Sequence, residues 1–444
     1  MSKIDQIIND LTLEEKVSLL SGFNSWYTNK IDRKGIPSIK MSDGPNGVRG
    51  DSNSGKTSAC FPCAISISSS WDLDQVKKIG VALGEEAQAK DVDVLLGPTI
   101  NIHRHPLGGR HFENFSEDPF LTGKIASSYV QGVQSQNVAA CLKHFVGNDT
   151  EFERHSISSN IDEQTLREIY LLPFEIGVKE GNAKVVMSAY NKLNNIYCSS
   201  HQELLIEILK KEWGFDGYVV SDWGAALETE ENANGGLDLE MPGPGNVWGN
   251  ALIDAIKSKR VAEDLIDDKV KRILSIAEFS KRFDQPEIKN EEAIDNPEHR
   301  KLLRKAAADG MVLLKNDGML PLKKDIKKLA IIGPNAKEAQ IIGGGSASLR
   351  PHYQVHPLEA IQERIGAKTE ILYSKGCHTH KYLPKINEKL MKSSEGFLVE
   401  YFDGESFDKN LLFQENLIGS KFWVFEGFAK EIIAKEERPK TSVK

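Results

Sequence analysis

Residues 217–223 read Gly217-Tyr218-Val219-Val220-Ser221-Asp222-Trp223, which joins a strand signal to a reactive side chain. The apolar, β-branched run up to Ser221 predicts a buried parallel strand. Asp222 would then stand at the carboxyl end of that strand, where the loops of a (β/α) barrel build their active sites. Trp223 adds a flat apolar surface suited to a sugar ring. Taken alone, the stretch is equally compatible with Asp222 capping the segment that follows.

Further apolar runs in the first half of the chain also stop at charged or hydrogen-bonding groups. Residues 36–41 are followed by Asp43, and residues 92–96 by a loop after Gly97-Pro98 that carries Arg104 and Arg110. Residues 138–142 are followed by Lys143-His144, and residues 184–189 by Tyr190-Asn191. The carboxyl ends of successive parallel strands converge at one end of a barrel, so we expect these side chains to line one pocket.

Helical periodicity separates these runs, at residues 72–90, 122–136, 163–180 and 201–212. This alternation of strand and helix predicts a parallel α/β fold. An amphipathic helix around 266–277 is expected to close a first domain, 1–280, and a polar linker is predicted at 281–299. A second α/β unit is predicted at 300–394, and the last stretch, 395–444, turns to a β-rich and aromatic pattern.

Composition excludes several classes of partner. The 444 residues (49.4 kDa) are 40% hydrophobic, enough for two or three domains. A net charge of −8 argues against a nucleic-acid partner. The chain shows neither a long apolar run nor a secretion signal, so we expect no membrane span and a cytoplasmic location, with self-association left open.

Two short motifs resemble cofactor or metal sites, but simpler structural roles explain them better. Cys60 and Cys63 form a Cys-x-x-Cys, but no second pair follows, so loop-packing thiols are favoured over a zinc or redox site. The run Gly343-Gly344-Gly345-Ser346 fits neither the dinucleotide fingerprint nor the P-loop. A loop that approaches another surface is the favoured interpretation, and we expect no cofactor and no metal.

The strand-end motifs together resemble those of glycoside hydrolase family 3 β-glucosidases over residues 1–395. The matching stretches are Ser42-Asp43-Gly44-Pro45-Asn46-Gly47-Val48-Arg49, Gly97-Pro98 through Arg110, Glu113 through Pro119, Lys143-His144-Phe145 through Asp149, Ser188-Ala189-Tyr190-Asn191, Ser221-Asp222-Trp223-Gly224 and Gly236 through Gly243. The resemblance implies a TIM-like (β/α)8 barrel followed by the start of an α/β sandwich domain. Residues 396–444 resemble the start of the protective-antigen-type β-sandwich that some yeast β-glucosidases carry as an insertion, which gives the expectation of a C-terminally truncated chain.

Carried over residue by residue, the resemblance makes Asp222 the catalytic nucleophile. It places Asp43, Arg110, Lys143, His144 and Tyr190 around the innermost sugar, with Trp223 covering the apolar face of the ring. Simpler roles are open for two of these residues. Arg110 could pair with Glu113 or Glu117, and His144 could be a core histidine that packing alone explains.

The implied activity is retaining hydrolysis of terminal β-D-glucosyl residues from β-glucosides and cello-oligosaccharides. Retention needs a second carboxylate as general acid/base. The family's glutamate for this role lies beyond the inserted sandwich, so we expect it after Lys444, expect little activity from the 444-residue chain, and regard Glu400, Glu405 and Glu415 as poor candidates. The alternatives are an inactive sugar-binding fragment, a β-xylosidase, or a β-N-acetylglucosaminidase in which His155 would be the acid/base.

Overall fold

A five-stranded parallel sheet carries the predicted site. In the computed structural model, which describes residues 3–51, 55–323, 325–366, 368–379, 397–402 and 411–417, the strands are paired in chain order: Met41–Asp43 (β1), Val94–Leu96 (β2), Ala139–Phe145 (β3), Val185–Ser188 (β4) and Tyr218–Ser221 (β5). Every residue of these strands is buried, as expected where both faces of a parallel sheet are covered.

Short β-bridges close the sheet into a ring. Beyond β5, Val220 pairs with Leu239 and Glu240 pairs with Ser21, both in parallel. The segments at 21–22, 27–28 and 40 then pair in antiparallel fashion and return the ring to β1. Five strands and three bridged segments thus make a ring of eight within the described residues, which confirms the predicted TIM-like barrel.

The antiparallel part of the ring has a simple cause. Residues 23–26 separate segment 21–22 from 27–28, and residues 29–39 separate 27–28 from Lys40, whereas a parallel pair needs a crossover of a dozen or more residues. The turn is held by the Asn24 side-chain oxygen, which accepts the backbone N–H groups of Trp26 and Tyr27 at 2.8 and 3.0 Å. The barrel therefore closes through a tight turn instead of a further βα unit.

Helices surround the ring, and each of the predicted stretches at 72–90, 122–136, 163–180, 201–212 and 266–277 coincides with helical segments, while other helices had no prediction. The α-helices of this part are Lys3–Asn9, Leu13–Leu19, Ala64–Ser68, Leu73–Ala89, Pro119–Gln134, Glu163–Thr165, Leu172–Lys179, Thr229–Gly235, Asn250–Lys257, Glu263–Phe279, Pro297–Asp309 and Pro357–Ile365. Wider π-helical turns span Leu166–Leu171 and Glu203–Glu212, and 3-10 turns span Asp32–Lys34, His111–Glu113, Cys198–Ser200 and Gly345–Ala347. A three-stranded sheet of Ser158–Ser159, Lys192–Leu193 and Ile196–Tyr197 lies outside the barrel sheet.

Two glycines let neighbouring helices approach closely. A Cβ atom at Gly80 would lie 2.5 Å from the Tyr129 carbonyl oxygen, and one at Gly132 would lie 2.2 Å from the Lys77 carbonyl oxygen. Helices Leu73–Ala89 and Pro119–Gln134 can therefore touch backbone to backbone.

The stretch predicted as a linker at 281–299 packs on the barrel through buried ion pairs. The Arg282 Nε atom is 2.9 Å from both carboxylate oxygens of Asp93, and the Lys40 Nζ atom is 2.8 Å from Glu291. Helix Pro297–Asp309 begins inside this stretch. The first compact unit runs on to residue 326 and includes residues 338–366, and the boundaries expected at 280, 299 and 394 stay predictions.

The second compact unit comprises residues 327–337 and 367–444. Its described part has a parallel pair of strands, Lys328–Ile332 and Glu370–Ser374, a short helix, Pro334–Lys337, and an antiparallel pair, Phe397–Phe402 and Leu411–Leu417. Most of the predicted sandwich, including Glu405, lies outside the described residues, so the sandwich stays a prediction. No helix in the described ranges is long and apolar enough to cross a membrane.

Candidate active site

The carboxyl ends of β1 and β5 bring two carboxylates to the same end of the barrel. Asp43 ends β1 and Asp222 follows β5, and they are 7% and 8% exposed. The backbone N–H of Asp222 donates to the Ser188 carbonyl at the end of β4 (3.2 Å), and its Oδ1 accepts the backbone N–H of Trp223 (2.7 Å). One oxygen of Asp222 is therefore fixed, while Oδ2 lies 3.6 Å from His144 Nε2.

Asp43 is balanced between two cations. Lys143 Nζ lies 3.6 Å from one of its oxygens and Arg49 Nη1 lies 3.2 Å from the other. Burial raises the pKa of Asp43 and the Asp222 carboxylate adds to this, while Lys143 and Arg49 oppose the rise. Each oxygen of the Asp43 carboxylate has a cation beside it, Lys143 on one and Arg49 on the other. This arrangement suits the carboxylate to accepting hydrogen bonds from a polar ligand.

His144 is buried and neutral. Burial and the positive charges of Arg110 and Lys143 hold the pKa of His144 well below its usual range. Its Nδ1 lies 3.3 Å from the Asn101 side-chain oxygen and its Nε2 lies 3.2 Å from Arg110 Nη1. From this network we assign the proton to Nδ1, which leaves Nε2 to accept from Arg110.

Arg110 connects the barrel to the glycine-rich loop. Its Nε atom pairs with the carboxylate of Glu113, as one of the sequence alternatives anticipates, and its Nη2 lies 3.4 Å from Ser346 Oγ. Glu113 also accepts the Thr99 hydroxyl at 3.2 Å. Burial works against the charged guanidinium, but the adjoining Glu113 carboxylate outweighs it and raises the pKa of Arg110. Arg110 is thus permanently charged and still has Nη groups facing the site.

Tyr190 follows β4 and lies beside Asp222. Its hydroxyl donates to the Trp223 carbonyl (2.9 Å), and burial together with the Asp222 carboxylate raises its pKa. The Arg154 guanidinium lies 4.8 Å from the centre of the Tyr190 ring, and the His155 ring lies 4.3 Å from it. His155, the acid/base of the alternative function, therefore borders the site as well.

Trp223 is braced on one side by a second tryptophan. The two ring centres of Trp223 and Trp26 are 5.5 Å apart at 38°, and Trp223 Nε1 donates to the Ser25 carbonyl (2.9 Å). The Arg49 guanidinium lies 5.0 Å from the Trp26 ring. The antiparallel turn that closes the barrel thereby supplies an aromatic wall next to Asp222.

The structure brings together all seven residues that the sequence nominates, and it adds four that sequence reasoning missed. The four are Arg49, Trp26, Arg154 and Ser346. Arg49 stood in a quoted motif, and Ser346 in the glycine run, so a signal existed for both. Trp26 and Arg154 lie in loops whose partners are distant in sequence, and nothing local marks them.

The arrangement suits a neutral, polyhydroxylated ligand. Two carboxylates, a lysine, arginines and a neutral imidazole alternate around the strand ends, and tryptophan rings border them, a combination that offers donors, acceptors and an apolar face together. Nothing in the described part of the chain groups three or more His, Cys, Asp or Glu side chains in a way that could hold a metal ion. Cys60 and Cys63 are free thiols, and burial raises the pKa of Cys60 to about 11.

Comparison with known proteins gives the same family for both parts of the chain. Residues 2–276 match the N-terminal domain model of glycosyl hydrolase family 3, and residues 311–437 match the C-terminal domain model of that family. A β-glucosidase of Rhizobium radiobacter is 46% identical over 95% of this chain and 51% of its own length. β-Glucosidase B of Emericella nidulans is 46% identical over 91% and 49%.

Solved structures agree with this assignment. A β-glucosidase from Kluyveromyces marxianus in complex with glucose is similar with a TM-score of 0.80 at 41% identity, over 86% of this chain and 47% of that one. β-Glucosidase 3B from Thermotoga neapolitana in complex with α-D-glucose gives 0.77 at 38%, over 83% and 55%. The chain spans about half the length of the curated relatives that it matches.

Proposed function

The chain belongs to glycoside hydrolase family 3, and we propose that its activity is the retaining hydrolysis of terminal β-D-glucosyl residues. The observation that carries this proposal is Asp222, a nearly buried carboxylate at a barrel strand end, within a ring of sugar-compatible side chains. The names of its relatives and the glucose in two similar structures support the same substrate class.

Asp222 is the proposed nucleophile. The Trp223 N–H holds Oδ1, so the carboxylate is oriented before substrate arrives, and Oδ2 is the oxygen left to attack the anomeric carbon. Attack forms a glycosyl-enzyme and expels the aglycone, and water then releases glucose with its original configuration.

Asp43, Lys143 and Arg110 are proposed to hold the glucosyl ring, and His144 to orient one of them. Asp43 accepts bonds from neighbouring hydroxyls, while Lys143 and the second N–H of each Arg110 Nη group, beyond those directed at His144 and Ser346, donate to them. Because His144 is neutral and its Nε2 accepts from Arg110, its role is to orient that guanidinium rather than to carry charge. Such charged hydrogen bonds strengthen as the ring distorts toward the oxocarbenium-like transition state.

Trp223 and Tyr190 are proposed to flank the ring and its leaving group. Trp223 is half-buried and braced by Trp26, so its face is rigid, as a sugar platform should be. The substrates are therefore small β-glucosides and cello-oligosaccharides. We assign the general acid to no described residue, since Glu113 is paired with Arg110 and Glu151 with Arg154.

The comparisons do not favour a sugar-binding fragment or an acetylglucosaminidase. The surroundings of His155 also disfavour its protonated form, which a general acid needs. Burial and the adjoining Arg154 lower its pKa, which leaves it neutral at pH 7. The alternative functions consequently have no observation that favours them.

The test is the anomeric outcome and the substrate preference. The protein that carries this chain is mixed with 4-nitrophenyl β-D-glucoside, and the first sugar formed is followed by proton NMR. We expect β-glucose to precede α-glucose, and kcat/KM to exceed that on the corresponding β-xyloside and N-acetyl-β-glucosaminide. Early α-glucose would contradict the retaining mechanism, and a higher kcat/KM on the N-acetyl substrate would contradict the substrate class.

A further inference from the structure

A completely buried glutamate lies outside the sugar site and has no part in the mechanism above. Glu86 is on helix Leu73–Ala89 and is 0% exposed. One carboxylate oxygen accepts the Ser58 hydroxyl at 3.0 Å, and the other lies 3.1 Å from His299 Nδ1 and 3.7 Å from His352 Nε2. A fully buried carboxylate needs such partners, and Ser58 and His299 hydrogen-bond to it, whereas His352 Nε2 packs at ion-pair distance without a hydrogen bond.

Two of those partners belong to a short parallel bridge. The Ser58 N–H donates to the Arg350 carbonyl (2.8 Å), and the His352 N–H donates to the Ser58 carbonyl (3.1 Å). The Thr57 hydroxyl lies 2.8 Å from His352 Nδ1 on the side opposite Glu86. Glu86 therefore fixes, through the side chains of Ser58 and His352, the place where residues 350–352 join the barrel.

The chain just before this bridge is the glycine-rich loop, and that loop reaches the sugar site. Ser346 Oγ lies 3.4 Å from Arg110 Nη2. A Cβ atom at Gly343 would lie 2.3 Å from the Phe112 ring, so the loop runs directly against the turn that carries Arg110. Only residues 347–349 separate Ser346 from the bridge, which leaves little slack between the anchor and the site.

We propose that Glu86 is a positioning residue for the sugar site, because it anchors residues 350–352 in the register that places Ser346 against Arg110. The proposal rests on the proposed function only in its effect on activity, since that effect requires Arg110 to bind the sugar. The anchoring itself is independent of what the protein hydrolyses.

The same helix offers a matched control. Glu85 contacts the other nitrogen of the His299 imidazole, at 2.8 Å, and its side chain is 40% exposed. Glu85→Gln therefore removes one charge from the His299 pair and leaves the Ser58 and His352 contacts of Glu86 in place. Glu86→Gln keeps the shape of the side chain and removes the charge that those two contacts share.

The experiment measures amide hydrogen exchange and kinetics on the protein that carries this chain. In Glu86→Gln we expect the amides of Ser58 and residues 343–352 to exchange about tenfold faster, while helix Pro119–Gln134 is unchanged. On 4-nitrophenyl β-D-glucoside we expect KM to rise about fivefold, or about 1 kcal/mol, with kcat within about twofold, since the lost contact acts on ground state and transition state alike. Glu85→Gln should leave both readouts near wild type.

Thr57→Val is the second variant, because it loosens His352 without touching a buried charge. It should accelerate exchange over the same residues and nowhere else. Unchanged exchange at 343–352 in both Glu86→Gln and Thr57→Val overturns the proposal, and so does an equal response in Glu85→Gln. If the wild type hydrolysed no β-glucoside, the proposed function would fail while the exchange experiment would still decide the anchoring.

Discussion

Replacing Arg110 by methionine should lower both stability and activity, and the two losses can be separated by a second substitution at Glu113. Arg110 is 16% exposed in its side chain and pairs with Glu113, which is 2% exposed. Removing one partner of a buried ion pair leaves an unpaired charge and costs about 3–5 kcal/mol. Because Arg110 is not fully buried, we expect about 3 kcal/mol for Arg110→Met.

The double variant Arg110→Met/Glu113→Gln removes both charges at once. Replacing a whole buried pair by neutral groups is often close to neutral in stability, and the new amide side chain would keep the Thr99 hydroxyl as a partner. We therefore expect its free energy of unfolding to return to within about 1 kcal/mol of wild type. Activity should not return, because a charged hydrogen bond to a sugar hydroxyl, worth about 1.5–3 kcal/mol, stays lost. That loss is about 10- to 150-fold in kcat/KM.

Urea unfolding followed by tryptophan fluorescence gives the first quantity, and kcat/KM on 4-nitrophenyl β-D-glucoside gives the second. The single and double variants are measured side by side with Glu113→Gln. Recovery of kcat/KM to near wild type in the double variant would refute a sugar contact and leave Arg110 with a structural role alone. Failure of the double variant to regain stability would refute the buried pair as the cause of the loss.

Three other perturbations have defined outcomes. Lys143→Met should reduce kcat/KM by about 10- to 150-fold, since it removes a charged donor of about 1.5–3 kcal/mol, and an unchanged value would contradict its place at the sugar. For His299, burial opposes the charged form, but hydrogen bonds to Glu86 and Glu85 outweigh burial and raise the pKa. The stabilising effect of His299, measured as the difference in urea midpoint from His299→Gln, should be complete below pH about 6.5 and decline as the pH rises through the raised folded-state pKa. A stabilising effect that increased with pH would contradict this sign. Gly217→Ala should destabilise the protein by more than the roughly 1–3 kcal/mol typical of overpacking, because the new Cβ would lie 2.0 Å from the Lys184 carbonyl oxygen, and an unfolding midpoint equal to wild type would contradict that contact.

The strands and their polar ends could be predicted from local sequence, because burial on both faces of a parallel sheet demands continuous apolar runs. That one rule located β5, and with it Asp222, and it also located β2, β3 and β4. The run predicted at 36–41 shares only Met41 with β1, which continues to Asp43. Helix Leu13–Leu19 begins with a capping box, in which the Thr12 hydroxyl accepts the Glu15 N–H at 3.2 Å and the Glu15 carboxylate accepts the Thr12 N–H at 2.9 Å.

Contacts between distant segments could not be predicted in the same way. The ring closes through bridges at 21–28, which carry no strand periodicity, and at Leu239 and Glu240. The latter lie in Leu237-Asp238-Leu239-Glu240-Met241, an alternating pattern typical of a half-buried strand, although all five residues are buried. The predicted linker is polar, yet two of its charged residues, Arg282 and Glu291, are buried against Asp93 and Lys40, which lie about 190–250 residues away in sequence. A polar stretch is exposed only when the fold brings no oppositely charged residue against it, and a single sequence does not reveal such a distant partner. The cytoplasmic location and any self-association stay predictions.

Covalent trapping tests the central proposal most directly. The probe is 2,4-dinitrophenyl 2-deoxy-2-fluoro-β-D-glucoside, whose leaving group needs no acid and whose fluorine slows release of the glycosyl-enzyme. We expect one fluoroglucosyl group on the peptide that contains Asp222, and none in Asp222→Asn. Asp216→Asn, at the opposite and exposed end of the same strand, should label like wild type. A label on a different residue, or no label on a protein that hydrolyses β-glucosides, would contradict Asp222 as the nucleophile.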